Sequence, residues 1–101
     1  MIGKVNGGGN LNPLQIAVSG GHKINVAGNT ARIYTWSKSD LGVPANGKIK
    51  DVIYNMDNTD SLRSGFWVSF SVTEDSVKVR MYNSQSTGAD CEFRLSVLYT
   101  I

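Results

Sequence analysis

Few side chains in this sequence have the chemistry for catalysis or metal binding, and they are widely separated along the chain. His22 is the one histidine, and it lies in Gly20-Gly21-His22, which has the composition of a turn. A catalytic serine or cysteine needs a base held by packed neighbours. One histidine and one cysteine, Cys91, also cannot complete the ligand set of a zinc site. We expect His22 to be structural and Cys91 to be a small core residue, with no catalytic residue, metal or cofactor.

Four of the eight acidic residues form two short pairs, Asp57 with Asp60 and Glu74 with Asp75. Paired carboxylates could perform acid–base or glycosidic chemistry. Both pairs lie among small polar residues, so solvated turn acids are the simpler interpretation. The stretch 55–60 could instead line a weak calcium site, but the glycine and final glutamate of a calcium-binding EF-hand loop are missing. We therefore expect a protein that is not an enzyme.

Aromatic side chains suit binding better than catalysis, and here they fall on strand faces. Trp36 has Tyr34 beside it, and Trp67 comes near Tyr82 in the expected fold. Exposed rings beside polar groups stack on the apolar faces of sugars, and they also form hot spots for protein partners. The alternative is that these rings cap a small core. The candidate binding residues, taken from the rings and from the loops at 37–47 and 57–64, are Trp36, Tyr34, Trp67, Tyr82, Asp40, Asn46, Asp57, Asn58, Asp60 and Arg63.

The strongest structural signal is a period of two on both sides of Glu74-Asp75. Aromatic and β-branched residues at 66–72 alternate with small polar residues and Trp67, and a similar alternation follows at 77–82. Successive side chains of a strand point to opposite faces, so both stretches are predicted strands. A turn at Glu74-Asp75 gives a register in which every apolar pair shares one face. The predicted pairs are Val72 with Val77, Phe70 with Val79 and Val68 with Met81.

Shorter alternations predict further strands at 14–18, 23–26, 31–36, 48–54 and 91–101. No stretch has the spacing of a stable helix. The chain is therefore predicted to be all-β: a small antiparallel β-sandwich of about seven strands over residues 13–101, after a flexible lead-in or linker at 1–12. Both sides of 48–54 are partly apolar, which predicts a central position in its sheet. The last strand is long and apolar, and we expect this domain or a neighbouring subunit to bury it.

Length and charge limit the classes of partner that we expect for this chain. The 101 residues suit one domain, and the net charge of +2 is spread without a basic cluster, so nucleic acid is not an expected partner. The first residues lack the apolar run of a signal peptide, and no stretch has the length of a membrane span. We expect no membrane insertion and folding in a reducing cytoplasm, where a single cysteine is ordinary.

Three segments give the chain a family resemblance: residues 65–68 (Gly-Phe-Trp-Val), 76–83 (Ser-Val-Lys-Val-Arg-Met-Tyr-Asn) and 93–99 (Phe-Arg-Leu-Ser-Val-Leu-Tyr). With the glycine- and asparagine-rich lead-in, this layout resembles the C-terminal tip domains of bacteriophage tail fibres and the related H-type-lectin-like sandwiches. The resemblance covers residues 20–101. It implies a homotrimeric, receptor-binding tip that is carried on the virion after folding in the host cytoplasm and recognises host cell-surface glycan or protein. The alternative is a structural trimerisation or capping domain with no ligand of its own.

Overall fold

The computed structural model describes residues 13–56 and 65–101, and these form two three-stranded antiparallel sheets. The first sheet has the order β1-β6-β3 and the second the order β2-β5-β4. The elements are β1 (Gln15–Val26), β2 (Thr30–Ser37), α1 (Lys38–Leu41), β3 (Lys48–Met56), β4 (Phe66–Val72), β5 (Ser76–Asn83) and β6 (Ala89–Thr100). The prediction of an all-β, sandwich-like fold is confirmed, with six strands in the described residues rather than seven. The expected lead-in at 1–12 lies outside those residues.

The predicted hairpin is present as the pair β4–β5. Val72 pairs with Val77, and the two other predicted pairs also form, Phe70 with Val79 and Val68 with Met81. The turn between the strands is fixed by Thr73, whose hydroxyl accepts hydrogen bonds from the backbone of Asp75 and Ser76 at 3.2 and 3.1 Å. The register is firm because a shift by one residue would turn the apolar row out to water.

The structure has one strand fewer than predicted because the predicted strands 14–18 and 23–26 form the single strand β1. The chain continues through Gly20-Gly21, and β1 stays paired with β6 from Gln15 to Val26. The register shifts between Ser19 and His22, where Gly21 has φ of 73°. Glycine adopts this left-handed conformation without steric cost, so the pair forms a bulge instead of a chain reversal. The bulge also inverts the alternation, since odd-numbered residues face the core before it and even-numbered residues after it.

The prediction that 48–54 occupies the centre of its sheet is wrong, because β3 is an edge strand beside β6. A second register shift between Ile49 and Asp51 explains the misleading pattern. It places Ile49 on the core side with Val52, although the simple alternation assigned them to opposite faces. Ile53 remains on the outer side, where it is 55% exposed.

A single helical turn interrupts the predicted loop at 37–47. Ser37 caps α1, since its hydroxyl accepts from the Asp40 backbone at 3.3 Å and the Asp40 carboxylate accepts from the Ser37 backbone at 2.9 Å. Gly42 ends the turn with φ of 75°. Leu41 and Val43 are buried, so this loop closes one end of the core.

The core lies between the two sheets and is built on β5 and β6. The inward side chains of these central strands are buried, and on β6 they are the alternate residues Cys91, Phe93, Leu95, Val97 and Tyr99. Phe93 lies at the centre of the aromatic cluster, and its ring centroid is 5.6 Å from that of Phe70 and 6.5 Å from those of Trp36 and Tyr54. Ile101, which the alternation placed on this face, remains 46% exposed at the end of the strand.

Candidate binding site

The outward face of the second sheet carries an aromatic pair. Trp67 on β4 lies directly opposite Tyr82 on β5, and their rings stack with centroids 5.6 Å apart and planes 21° apart. Trp67 alternates with the inward Phe66 and Val68, so its side chain points away from the core and is 60% exposed. The stack holds the indole in place while leaving a large part of the ring open to a ligand.

A shallow pocket of about 280 Å³ lies against this pair, lined by Trp67, Val68, Ser69, Arg80 and Tyr82. Ser69 and Arg80 are cross-strand partners, and they form the next pair along the two strands that faces the same side as the rings. The pocket therefore combines an apolar ring surface with a hydroxyl and a guanidinium group. Apolar walls with a few placed polar groups are the usual composition of a small-ligand site.

The same face continues along β5 through side chains that alternate with the core. Lys78, Arg80 and Tyr82 point outward between the buried Val77, Val79, Met81 and Asn83. Their neighbours in register are Ser71, Ser69 and Trp67 on β4 and Thr35, Ile33 and Ala31 on β2. We call these nine outward residues the β2-β5-β4 outer face.

The candidates Trp36 and Tyr34 lie on the other side of the same sheet. Trp36 is only 3% exposed, so its expected role as an exposed stacking surface is corrected: the ring is part of the core. The reason is its register, since Trp36 pairs with the buried Val77. Tyr34 is partly exposed at the sheet edge and packs on Trp36 with a centroid distance of 5.1 Å.

A second, smaller pocket of about 130 Å³ opens where β1 and β2 meet. Its lining residues are His22, Lys23, Ile24, Asn25, Arg32, Tyr34 and Trp36. The His22 ring packs 5.1 Å from Trp36, and its Nε2 lies 2.6 Å from the Ser19 hydroxyl. Burial lowers the pKa of His22, while the negative charge of Asp40 opposes that shift. Arg32 donates to the Asn25 carbonyl at 2.8 Å, so its guanidinium bridges the two strands.

The loop candidates divide into structural and undescribed residues. Asp40 belongs to the cap of α1, and its hydrogen bonds with Ser37 lower the pKa of its carboxyl group. Asn46 is exposed in the turn closed by the bond from the Gly47 backbone to the Pro44 carbonyl at 2.8 Å. The structure brings neither of them to the Trp67–Tyr82 pair. The remaining candidates, Asp57, Asn58, Asp60 and Arg63, lie outside the described residues.

Sequence reasoning missed the polar members of the outer face. Arg80, Lys78 and Ser69 were not among the candidates, although the alternation at 77–82 already placed Lys78, Arg80 and Tyr82 on one side. The pairing with Ser69 followed from the predicted hairpin register. The signal for these residues is the alignment of the outward faces of β4 and β5 in the predicted hairpin.

The outward face of the first sheet has a different character. Ile16 and Val18 on β1 are 61% and 75% exposed, and Ile53 on β3 is also largely exposed. Ile16 is opposite Leu98, and Val18 and Ile53 flank Ser96 from either side. We call this side of the sheet the β1-β6-β3 outer face; it also carries Ser96 between Val18 and Ile53, and Asp51 opposite Leu98. Several exposed apolar side chains on one face mark an interaction site more often than a single exposed residue does.

Over 13–56 and 65–101, no three His, Cys, Asp or Glu side chains come together in a way that could hold a metal ion. Within the same ranges there is no helix with the length and apolar character to cross a membrane. Comparison of the chain with protein-family models, curated protein sequences and solved structures finds no match.

Proposed function

We propose that this protein is a non-enzymatic recognition domain that binds a cell-surface glycan on its β2-β5-β4 outer face. The observation that carries the proposal is the exposed Trp67 ring, stacked on Tyr82 and bordered by Ser69 and Arg80. A protein on the cell surface is the second candidate ligand, because exposed tryptophan and arginine side chains also serve as hot spots of protein–protein interfaces.

The physical case for a sugar rests on the two kinds of surface that a pyranose presents. Its C–H face is apolar and packs on an indole, while the ring hydroxyls need hydrogen-bond partners. Trp67 offers the first surface, and Ser69 and Arg80 offer the second on the next pair along the same strands. The stacked Tyr82 restricts the indole, which lowers the entropy lost when a ligand binds.

The biological setting comes from the family resemblance in the sequence. We propose that the domain acts as a tip of a bacteriophage tail fibre, carried on the virion and directed to host cell-surface glycan or protein. The two-sheet fold is compatible with that setting, and the exposed rings on one sheet supply a surface for recognition.

Binding should be measured with the domain displayed at high valency on an array of bacterial surface polysaccharides and on whole cells. Trp67→Ala should weaken binding about thirtyfold or more, since truncating a tryptophan hot spot typically costs about 2 kcal/mol or more. Trp67→Phe retains a ring and should keep most of the affinity. Ile101→Ala is the matched control, because Ile101 is an exposed apolar residue at the end of β6. No binding to any polysaccharide or cell would overturn the proposal.

The second candidate function is structural: a trimerisation or capping element held together through the β1-β6-β3 outer face. The observation that favours it is the exposure of three large apolar side chains on that face, Ile16, Val18 and Ile53. Burying one such side chain contributes about 1.5–3 kcal/mol, so a few of them support association between copies of the chain. The two functions are compatible because the two outer faces point in opposite directions.

Light scattering at several concentrations tests the structural role. We expect an oligomer that Val18→Ser or Ile53→Ser dissociates, whereas Trp67→Ala leaves its mass unchanged. A monomer at all concentrations would contradict the structural function. An oligomer that survives both serine variants would place the contact on another surface.

A further inference from the structure

The charge on the β2-β5-β4 outer face has one sign. Its nine outward residues include Lys78 and Arg80 but no aspartate or glutamate. Both cations lie on the central strand, so they occupy the middle of the face rather than its rim. The overall net charge is only +2, so this concentration of positive charge is local.

Lys78 and Arg80 also differ from three other lysines, each of which lies near an acidic side chain. Lys38 and Lys50 lie 3.3 and 3.7 Å from Asp75 and Glu74, and Lys23 lies 4.0 Å from Asp90. Among the described residues, no hydrogen bond or ion pair engages Lys78 or Arg80. Their charge is therefore directed to solvent and is available to a ligand.

The geometry points to an acidic polysaccharide as the ligand, and we propose that this protein binds a polymer of uronic acid or a similarly anionic sugar along β5. The inference rests on the proposed function and specifies its substrate class. Alternate residues of a strand are about 7 Å apart, so Tyr82, Arg80 and Lys78 form a row about 13 Å long. One sugar ring packs on Trp67, and carboxylates of this or the following sugars pair with Arg80 and Lys78.

The hydroxyl groups on both sides of the row support a sugar. Ser69 and Ser71 flank Arg80 and Lys78 on β4, and Thr35 flanks Lys78 on β2. These side chains accept from and donate to sugar hydroxyls beside the charged pairs. A guanidinium also binds a carboxylate through two parallel hydrogen bonds, which fixes the orientation of the polymer.

The same features argue against a protein or a nucleic acid as the partner. The centre of a protein–protein interface is depleted of lysine, whereas the centre of this face holds Lys78 beside Arg80. Nucleic acid binding draws its affinity from many phosphate contacts, and two cations provide few of them. A polysaccharide with spaced carboxylates matches the row without requiring either a dry centre or a broad basic surface.

The test compares alginate, polygalacturonate and hyaluronan with the same polymers after chemical reduction of their carboxyl groups. Reduction removes the charge and keeps the linkages, so the pair isolates the electrostatic contribution. We expect the native acidic polymer to bind about tenfold or more tightly than its reduced form, with the difference shrinking as salt is raised from about 0.05 to about 0.5 M. Arg80→Gln with Lys78→Gln should abolish this difference.

A matched control carries the same change in net charge on the other sheet. Lys48→Gln with Lys50→Gln alters two exposed cations of β3, and it should keep the preference for the acidic form. Trp67→Ala should weaken binding to both forms, which reports on the proposed function separately.

The outcomes separate the two proposals. Equal binding of native and reduced polymers through Trp67 would overturn the acidic ligand and leave the recognition function intact. The absence of binding to any native or reduced polymer, together with silent arrays, would overturn both. Tighter binding of single-stranded poly-uridine or of an acidic peptide than of every polymer would also overturn the polysaccharide assignment.

Discussion

Replacing Asn83 by aspartate should destabilise the fold sharply at neutral pH. Asn83 is fully buried at the end of β5. Its Nδ2 donates to the Val26 carbonyl at 3.1 Å and to the Thr87 carbonyl at 2.9 Å, and its Oδ1 accepts from the Gln85 backbone at 2.9 Å. A backbone N–H can only donate and a carbonyl can only accept, so the amide orientation is fixed by its partners. Asn83 thereby joins the second sheet to the end of β1 and to the loop before β6.

Aspartate has nearly the same shape but cannot donate when it is ionised. Asn83→Asp therefore removes two donated hydrogen bonds and places a carboxylate against two carbonyl oxygens. Removing one partner of a buried polar group costs about 1–3 kcal/mol, and a buried charge without a partner costs about 3–5 kcal/mol. We expect a loss of about 3–5 kcal/mol at pH 7, a large part of the 5–15 kcal/mol typical of a domain.

Urea unfolding, followed by tryptophan fluorescence, measures this loss. Burial raises the pKa of the introduced carboxyl group in the folded state, so its penalty is fully present above that pKa. The destabilisation decreases as the pH falls through this folded-state pKa towards about 3.9, the pKa of an aspartate in the unfolded chain. The stability difference from the native chain should therefore narrow between pH 7 and pH 4. Asn55→Asp, at an exposed position on β3, is the control and should change stability by less than about 0.5 kcal/mol. A loss below about 1 kcal/mol at pH 7, or a difference independent of pH, would refute the reasoning.

Three further perturbations test the packing and the bulge. Phe93→Ala should cost about 3–5 kcal/mol in the same urea assay, because it empties the centre of the ring cluster; a cost below about 2 kcal/mol would contradict that role. Gly28→Ala should cost about 2 kcal/mol or more, since its Cβ would overlap the Ser86 carbonyl. Gly88→Ala, whose Cβ meets only ordinary contacts at 3.6–3.7 Å, should be much milder, and equal costs would count against the reasoning. Because burial lowers the folded pKa of His22, the native chain should lose melting temperature as pH falls below about 6.5, and His22→Gln should reduce that loss.

The family resemblance included Asn83, and the structure gives that residue a role in holding the fold. Its three hydrogen bonds are internal to the domain. The proposed binding surface depends instead on Trp67, which faces outward.

Local pattern was sufficient for regular strands whose apolar side chains lie mainly on one face. The β4–β5 hairpin was predicted with its register, because its apolar row has one arrangement that buries every member. The expected burial of the last strand is also confirmed, since the inward residues of β6 lie in the core of this domain. The capped turn at Ser37 was too short for a helical period, although Ser37, Asp40 and Gly42 carry the signals of a helix start and end.

The bulges and the pairing of distant strands were decided by the tertiary structure. Alternation alone assigns two faces to a strand but does not say which one is inside, and a bulge exchanges them partway along. Trp36 and Trp67 therefore looked alike in the sequence, yet one fills the core and the other is exposed on the opposite side of the same sheet. The sequence by itself determined the all-β class and the central hairpin through local alternation. The docking of β2 against β5 and the second sheet against the first decided which rings and charges face a ligand, since burial depends on contacts between residues far apart in the chain.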